Sequence, residues 1–344
     1  MHTGEGSPAR ADGRLVFRTK LPGSGLCSVA VTESDGRPVL LTGAFEGVTM
    51  WDVSDGQLAG RRLHGDLGEV RVVSFAVVDD RLVVVTAMDE DAVVWGDEGE
   101  PVDDPRFDVW DAVTAEHLCS FERPDGEPFG YPAHAACVEG EFGDPRVAVV
   151  LAEREGPFHV WDLENYHELR AEGQRHVPAV ACARVHGVPV AVTAGDDGLM
   201  RMWSTELFAD GEIGDPWPCG ALGQVNALAV GHVDGRAVLV AGGDQVGLWD
   251  LATRTSIGQP TALHDTYVTA VGTGRLRGRP VAVSGDFHGT IRVWDLSTGE
   301  PWGEPMSSGR WKVDAVAAAD AGGRALVASA SLHGIVSAWE LPAA

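Results

Sequence analysis

Tryptophan recurs along this chain at a nearly regular interval, each copy ending a short run rich in β-branched and aliphatic residues and usually preceding an acid. The copies are Val48-Thr49-Met50-Trp51-Asp52, Phe107-Asp108-Val109-Trp110-Asp111, Phe158-His159-Val160-Trp161-Asp162 and Leu199-Met200-Arg201-Met202-Trp203-Ser204, then Gln245-Val246-Gly247-Leu248-Trp249-Asp250, Ile291-Arg292-Val293-Trp294-Asp295 and Ile335-Val336-Ser337-Ala338-Trp339-Glu340. Successive tryptophans stand 59, 51, 42, 46, 45 and 45 residues apart. A period of roughly 40–45 residues suits a unit of four short strands, which cannot bury its own faces and must stack on neighbours. At 344 residues the chain also exceeds the ~250–300 at which one core usually divides, so a repeat array is the economical reading.

A second signal lies upstream of each tryptophan: a turn followed by an apolar run, read as the second strand of a hairpin. It begins at Asp35-Gly36, Asp79-Asp80, Gly143-Asp144, His186-Gly187, Asp234-Gly235, Gly278-Arg279 and Gly322-Gly323. Both signals count seven. A strand covered on both faces needs continuous apolar residues, as in Val190-Ala191-Val192-Thr193 and Val281-Ala282-Val283-Ser284.

On these residues the sequence resembles the WD40 repeat family, from about Gly13 to the C-terminus. The resemblance implies an all-β fold, a seven-bladed β-propeller of four-stranded antiparallel blades. Only residues 340–344 follow Trp339, too few for an outer strand, whereas Arg14-Leu15-Val16-Phe17-Arg18-Thr19-Lys20 is a spare strand before repeat one. The ring is therefore expected to close by an N-terminal strand completing the last blade, with residues 1–12 a flexible N-terminus and 13–344 a single propeller. The long first interval contains Val94-Trp95-Gly96 within an acidic insertion at about residues 89–108 of blade two, where nine carboxylates meet one arginine. It reads as a solvated excursion or as a contact for a basic partner. It lacks the Asp-x-Asp-x-Asp-Gly order of a calcium loop, so no metal is assigned.

Charge and composition exclude several functions. A net charge of −25 disfavours nucleic acid and anionic membranes, and the two lysines, Lys20 and Lys312, follow no phosphate-binding glycine loop. Five cysteines (Cys27, Cys119, Cys137, Cys182, Cys219) form no Cys-x-x-Cys pair, and read as buried thiols of a soluble cytoplasmic protein. Abundant Arg and Ala beside scarce Lys and Asn fit a GC-rich bacterial genome. Gly272-Thr273-Gly274-Arg275, His167-Glu168 and Ser284 each lack the rest of a catalytic or dinucleotide motif.

The family pattern links a histidine before strand a, an aspartate in the b–c turn, a Ser or Thr on strand b and the strand c tryptophan. A buried indole N–H needs an acceptor, and such a relay stiffens the blade. Repeat four supplies Thr193, Asp197 and Trp203. Repeat six supplies His264, Ser284 and Trp294, with His288 at the aspartate position; repeat seven has His333 there. Either these imidazoles replace the carboxylate as acceptors, or His288 and His333 form a proton-transferring pair at the ring mouth.

The resemblance also implies that residues flanking strand a line a partner-binding face. These are Glu69, Arg71, His134, His176, Asn226, Tyr267, Thr269, Lys312 and Asp314, with Arg310 and Trp311 beside them; Tyr, Trp and Arg are the types that dominate interface hot spots. The leading expectation is a non-catalytic platform for a protein or peptide with a basic segment, needing no cofactor. The rival is a stand-alone propeller enzyme binding a small metabolite in the central pore, with His134, His288 or His333 as acid or base.

Overall fold

The computed structural model describes residues 13–20, 26–44, 47–55, 70–78, 81–88, 94–95, 101–102, 106–122, 132–139, 148–153, 158–162, 166–169, 177, 179–205, 211–331 and 333–342. Residues 1–12 and much of the acidic insertion lie outside them. No helix among the described residues is long and apolar enough to cross a membrane.

The chain opens with β1 (Arg14–Lys20), and repeat one follows as β2 (Leu26–Ser34), β3 (Arg37–Ala44) and β4 (Gly47–Asp52). Repeat two holds β5 (Val70–Val78), β6 (Arg81–Met88), β7 (Val94–Trp95), β8 (Pro101–Val102), β9 (Arg106–Asp111) and β10 (His117–Glu122). Repeat three is β11 (Pro132–Glu139), β12 (Ala148–Glu153), β13 (Phe158–Asp162) and β14 (Tyr166–Leu169). Repeat four is β15 (Ala179–Val185), β16 (Val188–Ala194), β17 (Leu199–Ser204) and β18 (Trp217–Pro218). Repeat five is β19 (Ala227–Val233), β20 (Arg236–Gly242), β21 (Val246–Asp250) and β22 (Thr255–Ser256). Repeat six is β23 (Val268–Leu276), β24 (Arg279–Asp286), β25 (Thr290–Asp295) and β26 (Met306–Ser307); repeat seven is β27 (Ala315–Ala321), β28 (Arg324–Ala330) and β29 (Ile335–Glu340).

These strands form an antiparallel propeller, but not seven blades of four strands each. Six sheets are four-stranded, while β2–β3–β4 has three strands, so the expectation of seven uniform four-stranded blades is corrected to six complete blades and one three-stranded sheet among the described residues. The difference arises in repeat one, where no described strand pairs with the outer side of β4. In repeat two β6 pairs directly with β9, and β7 and β8 form a separate two-stranded ribbon, so the insertion leaves the blade through the b–c connection. Its Trp95 belongs to that ribbon; the strand c tryptophan is Trp110.

The a–b hairpins follow from their turn residues. Asp35 and Gly36, His186 and Gly187, Asp234 and Gly235, Arg277 and Gly278, and Gly322 and Gly323 all have positive φ, as two-residue type I′ turns require. The acid after the tryptophan builds the next turn: Oδ1 of Asp111 accepts the N–H groups of Val113 (2.9 Å) and Thr114 (2.8 Å), and Oδ1 of Asp250 those of Ala252 (3.0 Å) and Thr253 (3.1 Å). Such an Asx turn reverses the chain from strand c to strand d without help from elsewhere.

The core lies between sheets. Trp294 packs against Val238, Val240 and Leu248 of repeat five, and Trp339 joins a cluster with Val281, Val283 and Val293 of repeat six. Each of these indoles thus covers the preceding sheet, which is why the β-branched runs and the tryptophan recur together. Closure uses β1, which pairs antiparallel with β29 in the register Arg14↔Glu340, Leu15↔Trp339. Phe17 is buried, its ring 5.8 Å from that of Trp51. At the end of the seam Arg14 and Arg324 both donate to Glu340 Oε2 at 3.0 Å. The Arg324 bond outweighs the opposing effect of burial and, with Arg14, holds that carboxyl below its usual range.

Deleting residues 1–20 is expected to unpair β29 and expose a sheet edge, giving a lower melting midpoint and aggregation on size-exclusion chromatography. Glu340→Gln removes only the surface ion pairs and should cost about 1 kcal/mol or less in urea melts. Burial, reinforced by the Asp108 and Asp197 carboxylates respectively, pushes the thiols of Cys119 and Cys219 up to about 11. Alkylation of both in the native protein at pH 8 should therefore run roughly a hundredfold slower than that of free cysteine, measured by mass spectrometry of the labelled peptides.

Candidate functional site

The inner framework of the site is a hydrogen bond repeated across sheets. Four strand c indoles donate their Nε1–H to a strand b hydroxyl: Trp51 to Thr42 (3.1 Å), Trp110 to Thr86 (3.2 Å), Trp203 to Thr193 (2.8 Å) and Trp294 to Ser284 (2.8 Å). In repeat six the relay continues. His264 Nε2 lies 2.7 Å from Ser284 Oγ, and its Nδ1 lies 3.0 Å from Asp286 Oδ2. With the Ser284 hydroxyl donating to Nε2 and Nδ1–H donating to Asp286, every group in this buried chain has a partner.

Asp286 is a correction to the sequence reading. His288 occupies the family's aspartate position, but the carboxylate comes from two residues earlier, at the very end of β24. Asp286 also accepts the backbone N–H groups of His288 (2.9 Å) and Thr290 (2.8 Å), so it pins the b–c turn. Burial opposes its ionisation, but the His264 and Thr290 bonds prevail and keep the carboxyl below its ordinary value. His288 is left exposed at the turn tip. In repeat four Asp197 likewise stays outside the relay: Oδ1 accepts the Leu199 N–H (3.1 Å) and Oδ2 pairs with Arg201 Nη1 at 2.7 Å.

The starts of the a strands and the b–c turns share one end of the propeller, because Val268 pairs with Asp286 and the Phe287 N–H donates to the Tyr267 carbonyl (3.2 Å). There Tyr267 (41% exposed) meets Phe287 (41%) with ring centroids 5.1 Å apart, and Phe287 lies 5.9 Å from His288. In repeat seven the Trp311 ring, 47% exposed, lies 4.1 Å from that of His333 at a tilt of 46°. The segment carrying Arg310 and Trp311 runs against the repeat-six turn, with the Ser308 N–H on the Gly289 carbonyl (2.9 Å) and the Val313 N–H on the Asp286 carbonyl (3.1 Å).

Other expected rim residues have different tasks. Thr269 is buried and donates across sheets to the Val313 carbonyl (2.5 Å); Asn226 Nδ2 donates to the Val268 carbonyl (2.9 Å). Both therefore fasten neighbouring sheets instead of offering free polar groups. Lys312 pairs with Asp314 at 2.8 Å, and Arg310 is exposed. Arg71 and His134 stand on β5 and β11, opposite Ala87 and Ala152, while Glu69 and His176 lie outside the described residues. The sequence reading missed Phe287, whose signal was an aromatic residue in a turn otherwise made of polar and small residues.

No protein-family model matches the chain. Among curated proteins it is 29% identical over 134 residues to a DDB1- and CUL4-associated factor 11 homolog of Caenorhabditis elegans, covering 37% of this chain and 22% of that protein. It is 33% identical over 113 residues to the WD repeat-containing protein RUP2 of Arabidopsis thaliana, covering 32% of this chain and 28% of that one. The chain thus spans under a third of the length of these relatives. Among solved structures it resembles the computationally designed Ika8 protein (TM-score 0.59, 22% identity, 95% of this chain and 100% of that chain). It also resembles Chaetomium thermophilum Raptor (TM-score 0.65, 13% identity, 97% and 29%). The structural likenesses concern fold alone. The chain is thus a β-propeller with partial similarity to a WD repeat-containing protein.

Asp286→Asn should lower stability by about 1–3 kcal/mol at pH 7, because it weakens a buried charged acceptor. The native carboxyl is depressed, so its contribution is full above the unfolded value of about 3.9 and fades as pH falls through the native one. Urea melts of parent and variant at pH 7 and pH 3 should show the gap closing on acidification.

Proposed function

We propose that this propeller is a non-catalytic platform for a protein or peptide partner, using the end that carries Tyr267, Phe287, Arg310 and Trp311. The observation behind this reading is that the exposed aromatic residues among those described, Tyr267, Phe287 and Trp311, all lie at that end of two neighbouring sheets. Exposed aromatics grouped beside an arginine are the composition of an interface centre, and the backbone ties between the two sheets hold them in place before a partner arrives. The net charge of −25 favours a partner with a basic segment. Thiols at Cys119 and Cys219 suit a reducing cytoplasm.

The test is affinity measurement with a polypeptide partner isolated on the wild-type protein. Trp311→Ala and Tyr267→Ala should each weaken binding by about 1–2 kcal/mol, with melting midpoints nearly unchanged because both side chains face solvent. Unchanged affinity in both variants would move the site to another surface.

A further inference from the structure

The two aromatic sites on this end differ in electrostatic setting, and the difference selects what each can hold. Beside Tyr267 and Phe287 the adjoining turns of repeats five and six, residues 243–245 and 264–268, present exposed carboxylates at Asp244 and Asp265 and contain neither lysine nor arginine. Asp244 belongs to the repeat-five turn whose Gly243 carbonyl accepts the Val268 N–H (2.7 Å), which sets that turn against the chain just after Tyr267. Around Trp311 the neighbours are Arg310, Lys312 with its partner Asp314, and His333.

Resting on the platform reading, we infer that the Tyr267–Phe287 pair is the docking site for a lysine or arginine side chain of the partner polypeptide. Aromatic faces attract a cation through their quadrupole, and their edges accommodate the aliphatic stem of the same side chain. The surrounding carboxylates supply the negative potential that an uncharged apolar anchor would not use. The pair is held before binding: Asp286 fixes the turn that carries Phe287, and backbone bonds to Val268 fix the strand that begins after Tyr267. The Trp311 site, flanked by Arg310, takes an uncharged or acidic residue instead. The partner segment is therefore ordered, with its basic residue over repeat six and its non-basic residue over repeat seven.

The probe is a random heptapeptide library retained on the immobilised full chain, with the best retained peptide then titrated by fluorescence anisotropy in 50 and 300 mM NaCl. The expected result is enrichment of lysine and arginine. Tyr267→Ala and Phe287→Ala should each weaken the selected peptide about three- to thirty-fold, and Tyr267→Phe should largely retain it. Asp244→Asn combined with Asp265→Asn should flatten the salt dependence. Melting curves of every variant confirm that the exposed substitutions leave the fold intact. Retained peptides without basic enrichment, or a basic preference that survives the Tyr267→Ala/Phe287→Ala double variant, would overturn the inference. Retention that depends on Trp311 alone would sink the basic anchor and leave the platform standing; retention indifferent to all three aromatics would sink both.

Discussion

A buried indole N–H needs an acceptor, and much of this architecture follows from supplying one. The tryptophan is placed on strand c because its ring must cover the preceding sheet, as Trp294 covers the Val238, Val240 and Leu248 layer. Its N–H then points along its own sheet to strand b, where a Ser or Thr accepts it in repeats one, two, four and six. An apolar residue at that position would leave the donor unsatisfied at a cost of about 1–3 kcal/mol. In these four repeats strand b thus carries a hydroxyl within a largely apolar run, and the pairing of strands b and c is fixed by side chains as well as by backbone.

The acid after the tryptophan extends the same economy to the turn. Asp52, Asp111, Asp250 and Asp295 each accept backbone N–H groups two or three residues on, so the residue that ends strand c also starts the reversal toward strand d. One dipeptide therefore specifies an inter-sheet contact, an intrasheet register and a turn. A repeat that keeps it can tolerate large changes elsewhere, as in repeat two, where β6 and β9 pair directly and Trp110 reaches Thr86 although the β7–β8 ribbon is inserted between them in the chain.

This concentration of constraints explains what the sequence made legible. The strands, the type I′ turns and the closing β1–β29 pair could be read because each rests on local chemistry: an apolar run, an Asp-Gly or Gly-Gly turn, a spare strand at one end. The expectation of four strands in every blade had no such local support in repeat one, where no residue signal marks the outer strand. The relay was legible as a set of residue types but not as a set of partners. His264, Ser284 and Trp294 follow from the family pattern, whereas Asp286 stands two residues before the position that pattern gives to the acid. Register within a turn depends on which carboxylate can reach the imidazole, a matter of a few ångströms that spacing alone does not encode. The rim was read similarly: Tyr267, Arg310 and Trp311 face solvent, while Thr269 and Asn226, of equally polar type, are spent on ties between sheets.

The displaced carboxylate links core to surface. The acid that reaches His264 is Asp286, at the end of β24. With Asp286 taking that role from the end of β24, residues 287 and 288 are released to the surface while their backbone stays anchored, since the same carboxylate accepts the His288 and Thr290 N–H groups. Phe287 is thereby presented on a rigid turn next to Tyr267, and little conformational freedom is left to lose when a partner binds. The buried relay of repeat six and the aromatic surface above it are two consequences of where one aspartate stands.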